Sequence, residues 1–269
     1  MEITDKRVSY LIIVVCALLF ASCNKTETTT SLADWPVVIS YLMPGQPINV
    51  KVYQQKDITD TATYGSPITG LTLTLSNGTQ TVTLTENAPG NYAYNNSSFL
   101  AAGKTYSVKF TYNNMQVSAS TLMPAKPGNY TESATSLNLP FTITTTPGVT
   151  EVPALTLKWD NPDSLYHLLV FKNDQDSPFN IHAYMNSAVN FTLNAKQASF
   201  YDVYYRIFNY LGTYSIILYS VNKEYIDVLS SNANTTSQKL TNPPTNVTNG
   251  YGIFTAMQAD TVRLTLTQN

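Results

Sequence analysis

The chain has 269 residues, 43% of them hydrophobic and 12% charged, with 15 Lys and Arg against 17 Asp and Glu for a net charge of −2. That balance, with no basic run or patch, excludes nucleic acid as a partner class. The two cysteines, Cys16 and Cys23, exclude a disulfide-built scaffold, so stability has to come from burial, for which 19 tyrosines and 10 phenylalanines supply material.

The first segment reads as a targeting signal. Lys6 and Arg7 precede an apolar run from Leu11 to Ala21. A helix needs about 20 apolar residues to span a bilayer, so this run is too short to span and fits the apolar core of a secretory signal. It ends Leu19-Phe20-Ala21-Ser22-Cys23. Two small residues ahead of a cysteine resemble the bacterial lipobox, in which the cysteine sulfur receives a diacylglycerol and the chain is cut before it. On this reading residues 1–22 are a lipoprotein signal peptide, Cys23 is the lipidation site, and the protein meets the membrane through its N-terminal lipid. Two or three acyl chains hold stably where one holds marginally. Residues 23–35, "CNKTETTTSLADW", have no apolar periodicity and read as a flexible tether.

Residues 36–126 read as an N-terminal β-sandwich. "PVVISYLMPGQPINVKVY" gives a strand, a Pro-Gly turn, and a strand alternating Ile48, Val50 and Val52 against Asn49, Lys51 and Tyr53. In "GLTLTLSNGTQTVTLTE", Leu71, Leu73 and Leu75 alternate with threonines, Asn77-Gly78 predicts a tight hairpin turn, and Val82 and Leu84 continue on the return. "LAAGKTYSVKFTYNNMQVSASTLMP" adds two strands joined at Asn113-Asn114. About seven short strands at regular spacing predict a sandwich, of a Greek-key, prealbumin-like order.

"AKPGNYTESATSLNLP", rich in Pro, Gly, Ser and Thr, predicts a linker over 127–139. Residues 140–269 then read as a second sandwich. Leu155, Leu157 and Trp159 alternate up to a turn at Asn161-Pro162-Asp163, and Tyr166, Leu168 and Val170 follow. A Trp before a short turn and a Tyr after it resembles the corresponding turn of fibronectin type III domains. "YDVYYRIFNY" reads as a long aromatic strand. "GTYSIILYS" reads as a strand followed by a short helix from Asn222, and "DTVRLTLTQ" as the closing strand. The fold class is therefore mainly all-β: two β-sandwich domains with one short helix.

The ending Asn249-Gly250-Tyr251-Gly252-Ile253-Phe254, reached through "TNPPTNV", together with the lipobox, "PVVISYLMPG" and "LAAGKTYSVKFTY…SASTLMP", resembles a Bacteroidota lipoprotein family known as a domain of unknown function, number 4249. The resemblance implies an outer-envelope lipoprotein acting beside a TonB-dependent transporter, and it brings no catalytic residues. Physically, Gly250 and Gly252 read as a kink where the chain comes close to another backbone, with Ile253 and Phe254 turning into the core.

Candidate chemistry is sparse. His167 and His182 stand apart, without the partners that a metal site or a Ser-His-Asp arrangement needs, and read as surface or half-buried positions. Asp160, Asp163, Asp174 and Asp176 cluster modestly but lack the Gly and distal Glu of a calcium loop. No catalytic, cofactor or metal residues are expected. Thr61, Ser164 and Thr261, each after an Asp and before an apolar residue, resemble a Bacteroidota O-glycosylation motif. Tyr201, Tyr204 and Tyr205 are the candidates for stacking on a glycan or gripping a peptide. The expectation is a non-enzymatic, outer-membrane-anchored binding or accessory lipoprotein, its leash carrying Glu27 as an early acid and its face of the membrane left open. An adhesion or pilus-type subunit and a glycan-active enzyme are the alternatives.

Overall fold

A computed structural model of the chain describes residues 34–56, 61–140, 151–181, 188–232 and 244–268. Its strands are β1 (Val37–Leu42), β2 (Ile48–Tyr53), β3 (Thr74–Ser76), β4 (Thr81–Thr83), β5 (Thr85–Ala88), β6 (Asn91–Tyr94), β7 (Thr105–Tyr112) and β8 (Met115–Leu122). The later ones are β9 (Gly128–Glu132), β10 (Ser136–Asn138), β11 (Leu155–Asp160), β12 (Tyr166–Asn173), β13 (Phe191–Lys196), β14 (Phe200–Val203), β15 (Gly212–Val221), β16 (Val247–Thr248) and β17 (Tyr251–Thr267). One helix, Lys223–Asn232, follows β15. The fold is mainly β, and Trp35–Asn269 forms one compact unit. Among the described residues no helix is long and apolar enough to cross a membrane.

Two sandwiches share one long sheet. In the first, β1, β2, β6 and β5 face a five-stranded sheet ordered β16-β8-β7-β3-β4. The period-two alternation aims Val38 and Leu42, Ile48, Val50 and Val52, Leu75, and Tyr106, Val108 and Phe110 into one core. In the second, the three-stranded sheet β14-β11-β9 faces β13-β12-β15-β17. Leu155, Leu157 and Trp159 meet Leu169, Phe171, Ile216, Leu218 and Leu264 there. This three-plus-four strand order is that of a fibronectin-type sandwich.

Strand β17 joins the two. Its first part runs parallel to β1, from Val37↔Tyr251 to Leu42↔Ala256. Residues 257–266 run antiparallel to β15, and its end pairs with β10. Phe254 and Ala256 belong to the first core, Leu264 and Leu266 to the second. The glycines make the parallel seam possible. Gly252 holds φ +97°, and a Cβ there would lie 2.1 Å from the Val38 carbonyl oxygen. A Cβ on Gly250 would lie 2.9 Å from the Pro36 carbonyl oxygen. The close-approach reading of this motif is what the structure shows, with Ile253 and Phe254 both buried.

A polar knot fastens the join. Asn222 Nδ2 donates to Thr121 Oγ1 (2.9 Å) and to the Leu122 carbonyl (2.7 Å). Thr121 Oγ1 (2.8 Å) and Thr255 Oγ1 (3.2 Å) both donate to Glu224 Oε1. The helix carrying Glu224 packs Tyr225 and Ile226 against Leu168, Val221 and Met257.

Several local expectations change. The stretch 127–139, read as linker, forms β9 and β10, because Tyr130 has a place in the second core and Thr131 and Glu132 a partner in β11. Asn77-Gly78 lies in a four-residue loop: Ser76 pairs with Thr81. Asn77 Oδ1 accepts from the Thr79 and Gln80 backbone N–H groups (3.1 and 2.8 Å), so the side chain closes the turn that a second positive φ would have closed. A two-residue turn of that kind is at Asn113-Asn114, both at positive φ (46° and 60°), between the paired Tyr112 and Met115. "YDVYYRIFNY" does not continue as one strand: β14 ends at Val203 and a 3-10 turn, Tyr205–Ile207, follows. The short helix after β15 forms as expected, while the closing strand, expected from Asp260, begins already at Tyr251.

Candidate functional site

The second sandwich is open at one end, and the opening is a cleft of about 230 Å³. Its floor comes from the last inward positions of two central strands. His167 on β12 and Ser220 on β15 are register partners, each 1% exposed. His167 Nε2 and Ser220 Oγ are 3.2 Å apart. The Trp159 ring lies 5.3 Å from the imidazole, and Tyr130 stands edge-on to Trp159 at 6.3 Å. One wall is the β8–β9 connection with Pro127 and Gly128, and the other is the β11–β12 turn with Asp160, Pro162, Asp163 and Leu165.

That turn is held by Asn161. Its Oδ1 accepts from the Leu165 N–H (2.8 Å) and its Nδ2 donates to the Leu165 and Gln197 carbonyls (both 3.0 Å). Gln197 Nε2 closes the loop on the Ser164 carbonyl at 2.6 Å. Asp160 Oδ2 accepts from Asn129 Nδ2 at 2.6 Å, and Lys126, also in the lining, pairs with Asp260 at 3.2 Å.

Burial sets the electrostatics. It pushes His167 down to about 4, against a weaker opposing pull from the Leu165 backbone, so the imidazole is neutral near pH 7. It also pushes the Tyr130 phenol up, reinforced by the Glu132 and Asp260 carboxylates. Among the described residues, Tyr130 Oη and Trp159 Nε1 are buried without a hydrogen-bond partner. The arrangement is a small recess with carboxylates on its wall and an imidazole–hydroxyl pair on its floor.

The candidates from sequence scatter. Cys23 and His182 lie outside the described residues. Thr61 is exposed, Ser164 is exposed at φ 52° in the turn beside the cleft, and Thr261 is exposed on β17 opposite Ile217. Tyr201 and Tyr205 are half-buried against the second core. Tyr204 carries the Arg206 guanidinium 5.0 Å over its ring, and Arg206 pairs with Glu151. These three tyrosines are engaged within the protein rather than gathered into an open platform. Asp174 accepts from Ser215 Oγ at 2.7 Å, and among the described residues no three His, Cys, Asp or Glu converge as metal ligands would. His167, expected at the surface or half-buried, is a floor residue. Its pairing with Ser220 spans 53 positions and leaves no local signal.

No curated protein matches the chain. Among solved structures, the crystal structure of chicken CNTN1 FN1-FN3 domains is similar at 12% identity and a TM-score of 0.29, covering 70% of this chain. The chain spans 59% of the length of that structure. Residues 26–263 match the family described as a domain of unknown function, DUF4249, and the chain belongs to that family.

Proposed function

We propose that this protein is a non-enzymatic binding or accessory lipoprotein, held at the outer membrane of a Bacteroidota cell by acyl chains on Cys23 and working beside a TonB-dependent transporter. The observation that carries the reading is the apolar run Leu11–Ala21 ending at Ser22-Cys23, with the first strand of the compact body starting only at Val37. That spacing suits a body lifted off a leaflet on a short leash.

The test is Cys23→Ala in the native host. The wild type partitions with the membrane and carries the mass of its acyl chains; the variant is released in soluble form. Membrane retention of Cys23→Ala refutes the anchor. Affinity capture from detergent-solubilised envelope recovers a transporter; repeated capture of the protein alone refutes that partnership. Exposed Thr61, Ser164 and Thr261 are the proposed O-glycan acceptors, and a mass equal to that of the bare lipoprotein removes them.

A further inference from the structure

We infer that Asn77-Gly78, in the β3–β4 turn, is a self-modification site. Asn77 closes to a succinimide on the Gly78 nitrogen and opens to aspartate and isoaspartate, whereas the chain's other Asn-Gly pair, Asn249-Gly250, is protected by the fold. The inference is independent of the binding reading above.

The electrophile is prepared by the turn. An asparagine side chain is attacked at Cγ, and negative charge then builds on Oδ1. Three donors converge on Asn77 Oδ1: the Thr79 N–H (3.1 Å), the Thr79 hydroxyl (3.0 Å) and the Gln80 N–H (2.8 Å). Donors fixed in place beforehand bind the oxygen more strongly as it gains charge, as in an oxyanion hole. The same bonds hold the side-chain carbonyl over the backbone of residues 78–80, beside the attacking nitrogen.

The nucleophile is open. Gly78 is exposed, and nothing lies within 4 Å of where a Cβ would be, so no side chain shields its nitrogen. Its N–H donates to Ser76 Oγ at 3.2 Å, which gives the departing proton a path to water. The step needs only water. The Gly78 N–H proton passes to water, the nitrogen bonds to Asn77 Cγ, the Cγ–Nδ2 bond breaks, and Nδ2 leaves as ammonia with a proton from water. Water then opens the ring at either carbonyl. One product is aspartate; the other, isoaspartate, routes the backbone through Cγ.

Asn249-Gly250 has the same two residues in the opposite setting. Asn249 Nδ2, the nitrogen that would leave, donates to the Gln116 carbonyl at 2.9 Å. Gly250 is buried, and a Cβ on it would meet Val247 Cγ1 at 2.8 Å and the Pro36 carbonyl oxygen at 2.9 Å. Ring closure there requires Asn249 to leave β8 and packed backbone to move. The products at residue 77 also differ in consequence. Aspartate keeps an acceptor for the Thr79 and Gln80 N–H groups, and so keeps the turn. Isoaspartate lengthens the backbone by a methylene inside a hairpin paired only from Thr74↔Thr83 to Ser76↔Thr81, and loosens the edge strand β4.

The experiment ages the purified full-length protein in detergent, in mildly alkaline buffer, both folded and in urea. Conversion is followed by peptide mass mapping, by ammonia release, and by methyl transfer from an isoaspartate-specific carboxyl methyltransferase. In the folded protein Asn77 should convert at least about tenfold faster than Asn249, and no slower than it does in urea. In urea the two sites should converge, because only the fold separates them. Thr79→Val removes one donor from an exposed position and keeps a β-branched side chain; it should slow Asn77 about two- to tenfold, with an unchanged circular dichroism melt showing that it folds. The comparison of folded and unfolded wild type needs no variant. Slower conversion of Asn77 in the folded protein than in urea, Asn249 keeping pace with it in the folded protein, or an unchanged rate in Thr79→Val overturns the inference.

Discussion

Replacing Gly252 by Ala tests the seam that joins the two sandwiches. Two costs add. The first is conformational: φ +97° disfavours an L side chain by about 1–2 kcal/mol. The second is steric: the new Cβ would sit 2.1 Å from the Val38 carbonyl oxygen and 3.0 Å from its carbon. Backbone atoms on both sides leave no flexible side chain to yield, so β1 must move off β17. That loosens the parallel pairing of Val37–Leu42 and unpacks Val38 and Phe254, both 0% exposed. The total comes to about 3–5 kcal/mol, the range of severe single substitutions. Gly78→Ala is the control: its φ is +88° with nothing within 4 Å of the added Cβ, so it bears only the first cost, about 1–2 kcal/mol. Urea unfolding followed by tryptophan fluorescence suits the test, because Trp35 lies 5.3 Å from Tyr251 beside the seam. If the two variants lose stability equally, the steric argument is wrong.

Three further outcomes follow from the same geometry. Glu224→Ala removes the acceptor for Thr121 and buried Thr255 and should cost about 1–3 kcal/mol in urea unfolding, largely recovered in Glu224→Gln. Phe208, 0% exposed and ringed by Phe171, Phe191 and Tyr214, should lose about 3–5 kcal/mol on truncation to Ala, read from the urea midpoint. His167 titrates near 6.5 when unfolded and near 4 when folded. The unfolded chain therefore binds the extra proton between those values, and stability is full above about 6.5 and falls as pH drops toward 4, by up to about 3 kcal/mol. Unfolding measured across that range should show this loss in the wild type and not in His167→Gln; identical profiles would remove His167 as the cause.

Alternation made the strands legible because each sheet buries one face: Ile48, Val50 and Val52, or Leu155, Leu157 and Trp159, disclose the pleat directly. The Gly-Tyr-Gly motif disclosed a close approach, though not its partner, since Val38 precedes it by more than two hundred residues. Long-range pairing hid the rest. Nothing near 127–139 shows that its polar residues find partners in β11 and β17, and tertiary pairing overrode a loop-like composition. Tyr201 and Tyr205 looked available because composition does not separate a core ring from a surface one. The cleft was invisible for the same reason as the seam: Gly128, the Asp160–His167 turn and Ser220 come from three separate parts of the chain.

The sharing of β17 bears on when the molecule can form. Strand β1 and its parallel neighbour β17 lie more than two hundred residues apart in the chain. The first core lacks Phe254 and the second lacks Leu264 and Leu266 until that strand arrives. Neither half can close before β17 docks, and contacts of such long range form slowly. The two cores are thereby tied to one docking event, and loosening β17 at either end reaches both of them.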